Sequence, residues 1–177
     1  MKFKTSASFL RDIVFGAYDG VVTTIGFLVG FAGSIAEQKV IVLAGFLGII
    51  AGAVSMALGN YLAVKSQKEF YEKKEETERD SSKASIESPA LAGFFTALFY
   101  LLGGIPLVLP FLFLTPLTRA LLASIFISVV IMGFIGILRW VFDRGSFFKR
   151  IAETVIIGLI AAAIGFLAAE ALQFFGI

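Results

Sequence analysis

The sequence contains no cysteine and no histidine. Disulfides, thiolate zinc sites, cysteine nucleophiles and every histidine-based triad or metal cluster are therefore excluded. Any metal chemistry must use carboxylates, amides, hydroxyls, carbonyls or methionine sulfur. Charge is also scarce: 16% of the 177 residues are Asp, Glu, Lys or Arg, with a formal net charge of +2. The isoelectric point near 8.9 does not mark a nucleic-acid binder. The basic residues lie between apolar runs rather than on one surface, which is the pattern of membrane topology. No Gly-x4-Gly-Lys-Ser/Thr phosphate loop occurs, so nucleotide-driven pumping has no visible machinery.

Apolar residues take the place of what is missing. They make up 58% of the chain, and the mean hydropathy is +0.93. A soluble domain of this length cannot bury that much apolar surface in one core, so lipid is its natural solvent. Five stretches, approximately residues 13–36, 40–64, 90–114, 117–142 and 147–175, each reach the ~20 helical residues needed to cross a bilayer. They are continuously apolar rather than alternating, which selects helices over a membrane barrel. The expected fold is an all-α integral membrane protein, a single membrane domain over residues 1–177. It has five transmembrane helices and a short charged cytosolic helix or loop, residues 65–88, between the second and third. The basic N-terminal residues run into a stretch carrying Asp12 and Asp19 with no small-residue cleavage site, so they read as mature protein rather than a signal peptide.

Counting Lys and Arg sets the orientation. Lys2, Lys4 and Arg11, the loop residues Lys65, Lys68, Lys73, Lys74, Arg79 and Lys83, and Arg139, Arg144, Lys149 and Arg150 share one side under five crossings. Of the 15 basic residues only Lys39 and Arg119 fall on the other. The imbalance predicts a cytoplasmic N-terminus and a C-terminus outside or in a lumen. Gly103, Gly104, Pro106 and Pro110 predict a kink or partial unwinding in the third span. An odd number of spans rules out two equal inverted halves, so a symmetric pathway requires a homodimer.

The first span carries Asp19 well inside its apolar run. A carboxylate there costs about 2.5–3.5 kcal/mol on insertion scales, which predicts that it faces protein or water and has a task. The plainer reading is a structural acid that caps a backbone break or pairs with a neighbouring helix. Helical spacing puts Gly16, Asp19, Thr23, Gly26 and Gly30 on one stripe. Gly16 with Gly20, and Gly26 with Gly30, match the small-xxx-small packing pattern. The second span carries a like stripe, Gly45, Gly48, Gly52, Ser55 and Gly59, flanked by Met56 and Asn60. These glycines, Gly16, Gly20, Gly26, Gly30, Gly52 and Gly59 above all, are expected to pack helices or a dimer.

Measured from the ends of their spans, Asp19 lies roughly 9 Å and Met56 roughly 12 Å below one surface. A carboxylate supplies charge, and a polarizable thioether favours softer transition metals over Mg(II) or Ca(II). A twofold axis between the stripes would supply two Asp19 and two Met56, with Asn60, Thr23 and carbonyls completing the shell. Met56 by itself reads as an ordinary gap-filling apolar residue.

The segments YDGVVTTIGFLVGFAGS and AGAVSMALGNYLAVKSQKEF resemble the two signature stretches of the vacuolar iron transporter family. The resemblance implies five spans, a homodimer, and export of ferrous iron, with manganese, from the cytosol in exchange for protons. It matches Asp19 and Met56 to the family's translocation-site aspartate and methionine. The metal is cargo; no permanently bound cofactor is implied. Two departures stand out. Asn60 occupies a position that is acidic in many members, and the loop is too short for the large cytosolic metal-binding domain of plant-type members.

Glu69, Glu72 and Glu76 share a helical face of the charged segment, with Glu75 and Glu78 beside it, and are candidates for collecting metal at the cytosolic mouth. Glu69 with Lys73 and Glu75 with Arg79 also fit i,i+4 pairs of a solvated helix. Glu153 is expected to pair with Lys149 or Arg150. Glu170 reads as an acid reaching headgroup water, with an exit-side ligand or proton acceptor as the alternative. Trp140 and Tyr100 read as interface anchors. The expected function is divalent metal export by proton antiport, in a plasma membrane or vacuole-like compartment. The alternatives are a non-transporting scaffold that dimerises through its glycine faces, and, poorly supported, an intramembrane enzyme.

Overall fold

A computed structural model describes residues 2–34, 37–78, 88–143 and 145–174. The elements are α1 (Lys2–Ser34), α2 (Gln38–Glu78), α3 (Pro89–Val108), a single turn α4 (Pro110–Phe113), α5 (Leu117–Asp143) and α6 (Phe147–Phe174). Five of the stretches, Ser8–Gly33, Gln38–Lys73, Pro89–Phe113, Leu117–Phe142 and Phe147–Ala168, are long and apolar enough to cross a membrane. The chain is thus an all-α membrane protein with five spans. The second span continues unbroken to Glu78, so the first part of the charged segment is a helical extension into water. The third span continues through Pro106 and is interrupted at Leu109, ahead of Pro110.

That interruption frees backbone carbonyls in an apolar setting, where each must find a donor. The Gln38 side-chain amide, at the start of α2, donates to the carbonyls of Phe111 at 2.6 Å and Leu114 at 2.8 Å. Ser124 of α5 donates to the Leu107 carbonyl at 2.5 Å. The C-terminal end of the third span is therefore held by side chains of its neighbours.

Helix α1 is the centre of the bundle, with α3, α6, α5 and α2 packed around it, while among the described residues α2 and α6 form no extensive seam. The closest approach is between α1 and α3. A methyl group at Gly16 would meet the Thr96 carbonyl, one at Gly20 the Tyr100 carbonyl, and one at Gly103 the Ala17 carbonyl. In lipid there is little hydrophobic drive between helices, so such backbone-to-backbone contact supplies the dispersion energy that replaces it. Val21, Ile25, Leu28, Ile41, Ile49, Leu107 and Val108 form the buried core around this seam.

Candidate functional site

The α1 to α2 register follows from three contacts. Asn60 Nδ2 donates to Asp12 Oδ1 at 3.0 Å. The space beside Gly104 of α3 is shared by Thr24 and Ile49, and Leu28 abuts Gly45. Antiparallel helices meeting at these points place Met56 opposite residues 16–17 of α1. Asp19 and Met56 then differ by about three residues of rise, ~4.5 Å, and lie at nearly one level.

Asp19 is partly exposed and Thr23, one turn on, is exposed. The Thr23 hydroxyl donates to Asp19 Oδ1 at 3.4 Å. Tyr100 of α3 enters the same region, its backbone lying against Gly20 of α1, the residue after Asp19. The ring occupies space that Gly52 of α2 leaves free, since a methyl there would fall against the Tyr100 hydroxyl. Met56, the next turn of α2 on the face of Gly52, packs against the core beside it. Helices α1, α2 and α3 thereby bring a carboxylate, two hydroxyls and a thioether into one region at mid-span.

Asn60 is placed differently. Its amide nitrogen faces Thr96 Oγ1 at 2.7 Å, Asp12 Oδ1 at 3.0 Å and the Ala92 carbonyl at 3.2 Å. Asp12 is fully buried and also accepts from Arg11 at 2.9 Å and 3.0 Å, which leaves its Oδ2 without a hydrogen-bond partner. Two turns separate Asp12 from Asp19, so the structure joins Asn60 to a second polar layer nearer the water rather than to the Asp19 layer. Sequence reasoning missed Asp12. The stripe of Gly16, Asp19 and Thr23, extended back by one turn, passes through it.

The glycines divide into two groups. Gly16, Gly20 and Gly52 are spent inside the protomer against α3, and Gly26 meets Gly165 of α6. Gly30 is buried. Gly48 and Gly59 face open space, and Ser55 on the same face of α2 is exposed. Glu69 and Glu72 are exposed, with Lys65 and Lys68 at 3.9 Å and 3.7 Å one turn before them. The side chain of Glu76, like those of Glu75 and Glu78, lies outside the described residues. Among the described residues no three acidic side chains gather in one place.

Tyr100 is not an interface anchor: it is 2% exposed and the largest fully buried side chain. The Gly20 and Gly52 gaps draw it inward, and a single-sequence reading does not show which glycine faces which ring. Trp140 is partly exposed and meets Phe147 edge-on at 5.2 Å. Glu153 faces Arg150 at 3.5 Å as expected, with Arg139 at 3.6 Å as its second partner. Glu170 is exposed.

Comparison with known proteins gives a consistent result. The model of the VIT family matches residues 10–88 and 79–170. Vacuolar iron transporter homolog 1 of Arabidopsis thaliana is 32% identical over 169 residues, covering 93% of this chain and 83% of its own length. Vacuolar iron transporter 1 of Eucalyptus grandis is 28% identical over 220 residues, covering 96% and 88%. Vacuolar iron transporter 1 of Oryza sativa subsp. japonica is 26% identical over 220 residues, covering 96% and 87%.

Proposed function

The chain belongs to the VIT family, and from that premise we propose that it carries ferrous iron, and manganese with it, across the membrane at a site built on Asp19. It is a transporter rather than an enzyme, as its relatives' names are those of transporters. The observation that carries the proposal is the partial exposure of Asp19 and the full exposure of Thr23, one turn apart near the middle of the first span. A carboxylate and a hydroxyl left open at that depth have no solvation in lipid. They need water, a cation or protein against them.

A second copy of the chain meets that need. The open small-residue face of α2, with Gly48, Ser55 and Gly59, supports close approach of a twofold partner. Two Asp19 and two Met56 then converge, with Thr23 hydroxyls and carbonyls to complete the shell. Asn60, bonded to Asp12 in this conformation, would join only after giving up that bond. Charge from the carboxylates and softness from the sulfurs favour ferrous iron over Mg(II) and Ca(II).

Transport runs from the cytosol outward in exchange for protons. Two carboxylates facing one another in a low-dielectric site repel, so protons and M(II) compete for the pair. The side rich in Lys and Arg is cytosolic, with the C-terminus outside or in the lumen of a vacuole-like compartment. Glu69, Glu72 and Glu76 on the extension of α2 serve as a weak collecting surface at the cytosolic mouth, partly neutralised by the lysines beside them.

Uptake into proteoliposomes under an imposed pH gradient, comparing Fe(II), Mn(II), Zn(II), Ca(II) and Mg(II), tests the reading. Fe(II) and Mn(II) should move in a gradient-dependent way, and Asp19→Ala and Met56→Ala should not support that flux. Equal flux through both variants and the unaltered chain would favour a non-transporting scaffold that dimerises through the same glycine face.

A further inference from the structure

We propose that the end of the bundle where α5 turns into α6 binds the phosphate headgroup of an anionic phospholipid, through Arg139 and Arg150. This depends on the membrane fold alone and not on Asp19 as a metal ligand.

Segment 139–153 carries four basic residues, Arg139, Arg144, Lys149 and Arg150, against two acids, Asp143 and Glu153. The described side chains show how part of that excess is arranged. Glu153 Oε2 stands between two guanidiniums, Arg139 at 3.6 Å and Arg150 at 3.5 Å. Both separations are longer than the about 2.7–3.2 Å of a good hydrogen bond, and this buried oxygen has no hydrogen-bond partner. Thr154, 1% exposed, ties the two helices at the same level: its hydroxyl accepts from Arg139 Nη1 at 3.0 Å and donates to the Arg150 carbonyl at 2.8 Å. Two helices thus present guanidiniums to one carboxylate, which offsets one positive charge of the two. Lys149, exposed and next in sequence to Arg150, adds another.

The depth of the cluster selects the kind of anion that completes it. The fourth span ends at Phe142 and the fifth begins at Phe147, so Arg139, Arg150 and Glu153 fall within two turns of the span ends. Trp140 meets Phe147 edge-on at 5.2 Å, Phe147 meets Phe148 at 5.3 Å, and Phe148 is 81% exposed. Exposed aromatic rings at the end of a span mark the headgroup level of a bilayer. They set the cluster among headgroups and upper acyl chains rather than in bulk water. Excess positive charge at that level is costly unless an anion reaches it. A lipid phosphate already resides there, and its oxygens match the fork of N–H donors on a guanidinium. Basic groups between helices at this level suit anionic headgroups for the same reason. A soluble anion would have to leave water to take the same place.

Trp140 is the only tryptophan of the chain, so its fluorescence reports on the lipid beside this patch. The full-length protein is reconstituted in mixed phosphatidylcholine and phosphatidylglycerol bilayers in which one lipid or the other carries brominated acyl chains, and quenching of Trp140 is measured. Brominated phosphatidylglycerol should quench as though enriched about fivefold next to the ring. Arg150→Gln, which leaves the bond between Arg139 and Thr154 in place, should remove most of that enrichment, and Arg139→Gln with Arg150→Gln all of it. Arg150→Lys, which keeps the charge, should retain the greater part. Equal quenching by the two brominated lipids in the unaltered chain overturns the proposal. So does an equal loss in Arg150→Gln and Arg150→Lys, which would mark a packing role. Enrichment abolished by inorganic phosphate, but not by chloride at the same ionic strength, would assign the cluster to a soluble anion and overturn it as well. Metal transport is not the readout, so each of these results leaves the Asp19 assignment where it stands.

Discussion

Asn60 on α2 and Asp12 on α1 are joined by a 3.0 Å hydrogen bond in the layer of the bundle nearest the charged extension. The same amide reaches Thr96 and the Ala92 carbonyl on α3, so three helices are tied at one point. Asp12 is fully buried, yet only one of its oxygens is bonded. In a bundle whose core is mostly apolar, a polar knot of this kind helps to fix how far each helix slides along the next.

Replacing Asn60 by Leu keeps the volume and removes the donor. Asp12 then retains Arg11 alone, and a buried acceptor loses a partner at a cost of about 1–3 kcal/mol. The melting temperature in detergent should fall by roughly 5 °C. Asn60→Gln, which can re-form part of the knot, should fall less. An unchanged melting temperature for Asn60→Leu would show that the three helices hold their register without it.

Gly20 and Gly59 should respond to enlargement in opposite ways. A methyl at Gly20 is driven into the Tyr100 carbonyl, whereas one at Gly59 meets nothing. Gly20→Ala is therefore expected to destabilise the protomer by about 1–3 kcal/mol through overpacking. Gly59→Leu should leave the protomer's melting temperature unchanged and shift a dimer toward monomer, read by cross-linking in liposomes. Equal losses of stability at the two positions would contradict this division of the glycines.

The five spans were legible in the sequence because continuous apolar length and the one-sided placement of Lys and Arg are strong, local signals. The helical extension of α2 was legible from its Glu and Lys density. Asp19 stood out because an acid within an apolar run is conspicuous. Asp12 did not, because it precedes the run and its burial comes from Asn60 and Thr96, which are far away in sequence. Tyr100 was misjudged for a related reason. Whether an aromatic points to headgroups or to the core depends on which gaps neighbouring helices leave, and those gaps, Gly20 and Gly52, belong to other segments. The division of glycines between packing seams and open faces is equally a property of the assembled bundle.

The charged extension should matter little to the rate. Glu69 and Glu72 are exposed, and each has a lysine within 4 Å one turn away, so their pull on a divalent cation is weakened by both solvent and neighbours. Changing Glu69, Glu72 and Glu76 together to Gln is expected to raise the KM for metal no more than about threefold at low salt. Maximal uptake should stay unaltered, and the difference should disappear near 1 M salt, where the Debye length is about 3 Å. A loss of maximal rate would mean that the extension takes part in the transport cycle itself.

Met56 and Asp19 should separate charge from softness. Met56→Leu preserves the packing of α2 against the core, a volume-conserving exchange that costs under about 1.5 kcal/mol, and removes the only side-chain sulfur assigned to the site. Because the thioether contributes more to ferrous iron than to harder ions, Fe(II) uptake should fall by about tenfold while Mn(II) uptake falls less, narrowing the preference for iron. Asp19→Asn keeps the shape and the contact with Thr23 but removes the charge that offsets a divalent cation at mid-span, where an uncompensated charge is costly. Uptake of both metals should be lost together. Parallel measurements of Fe(II) and Mn(II) in the two variants decide the point. If Met56→Leu reduces the two metals in equal proportion, the sulfur is a packing group and selectivity must come from the oxygen ligands.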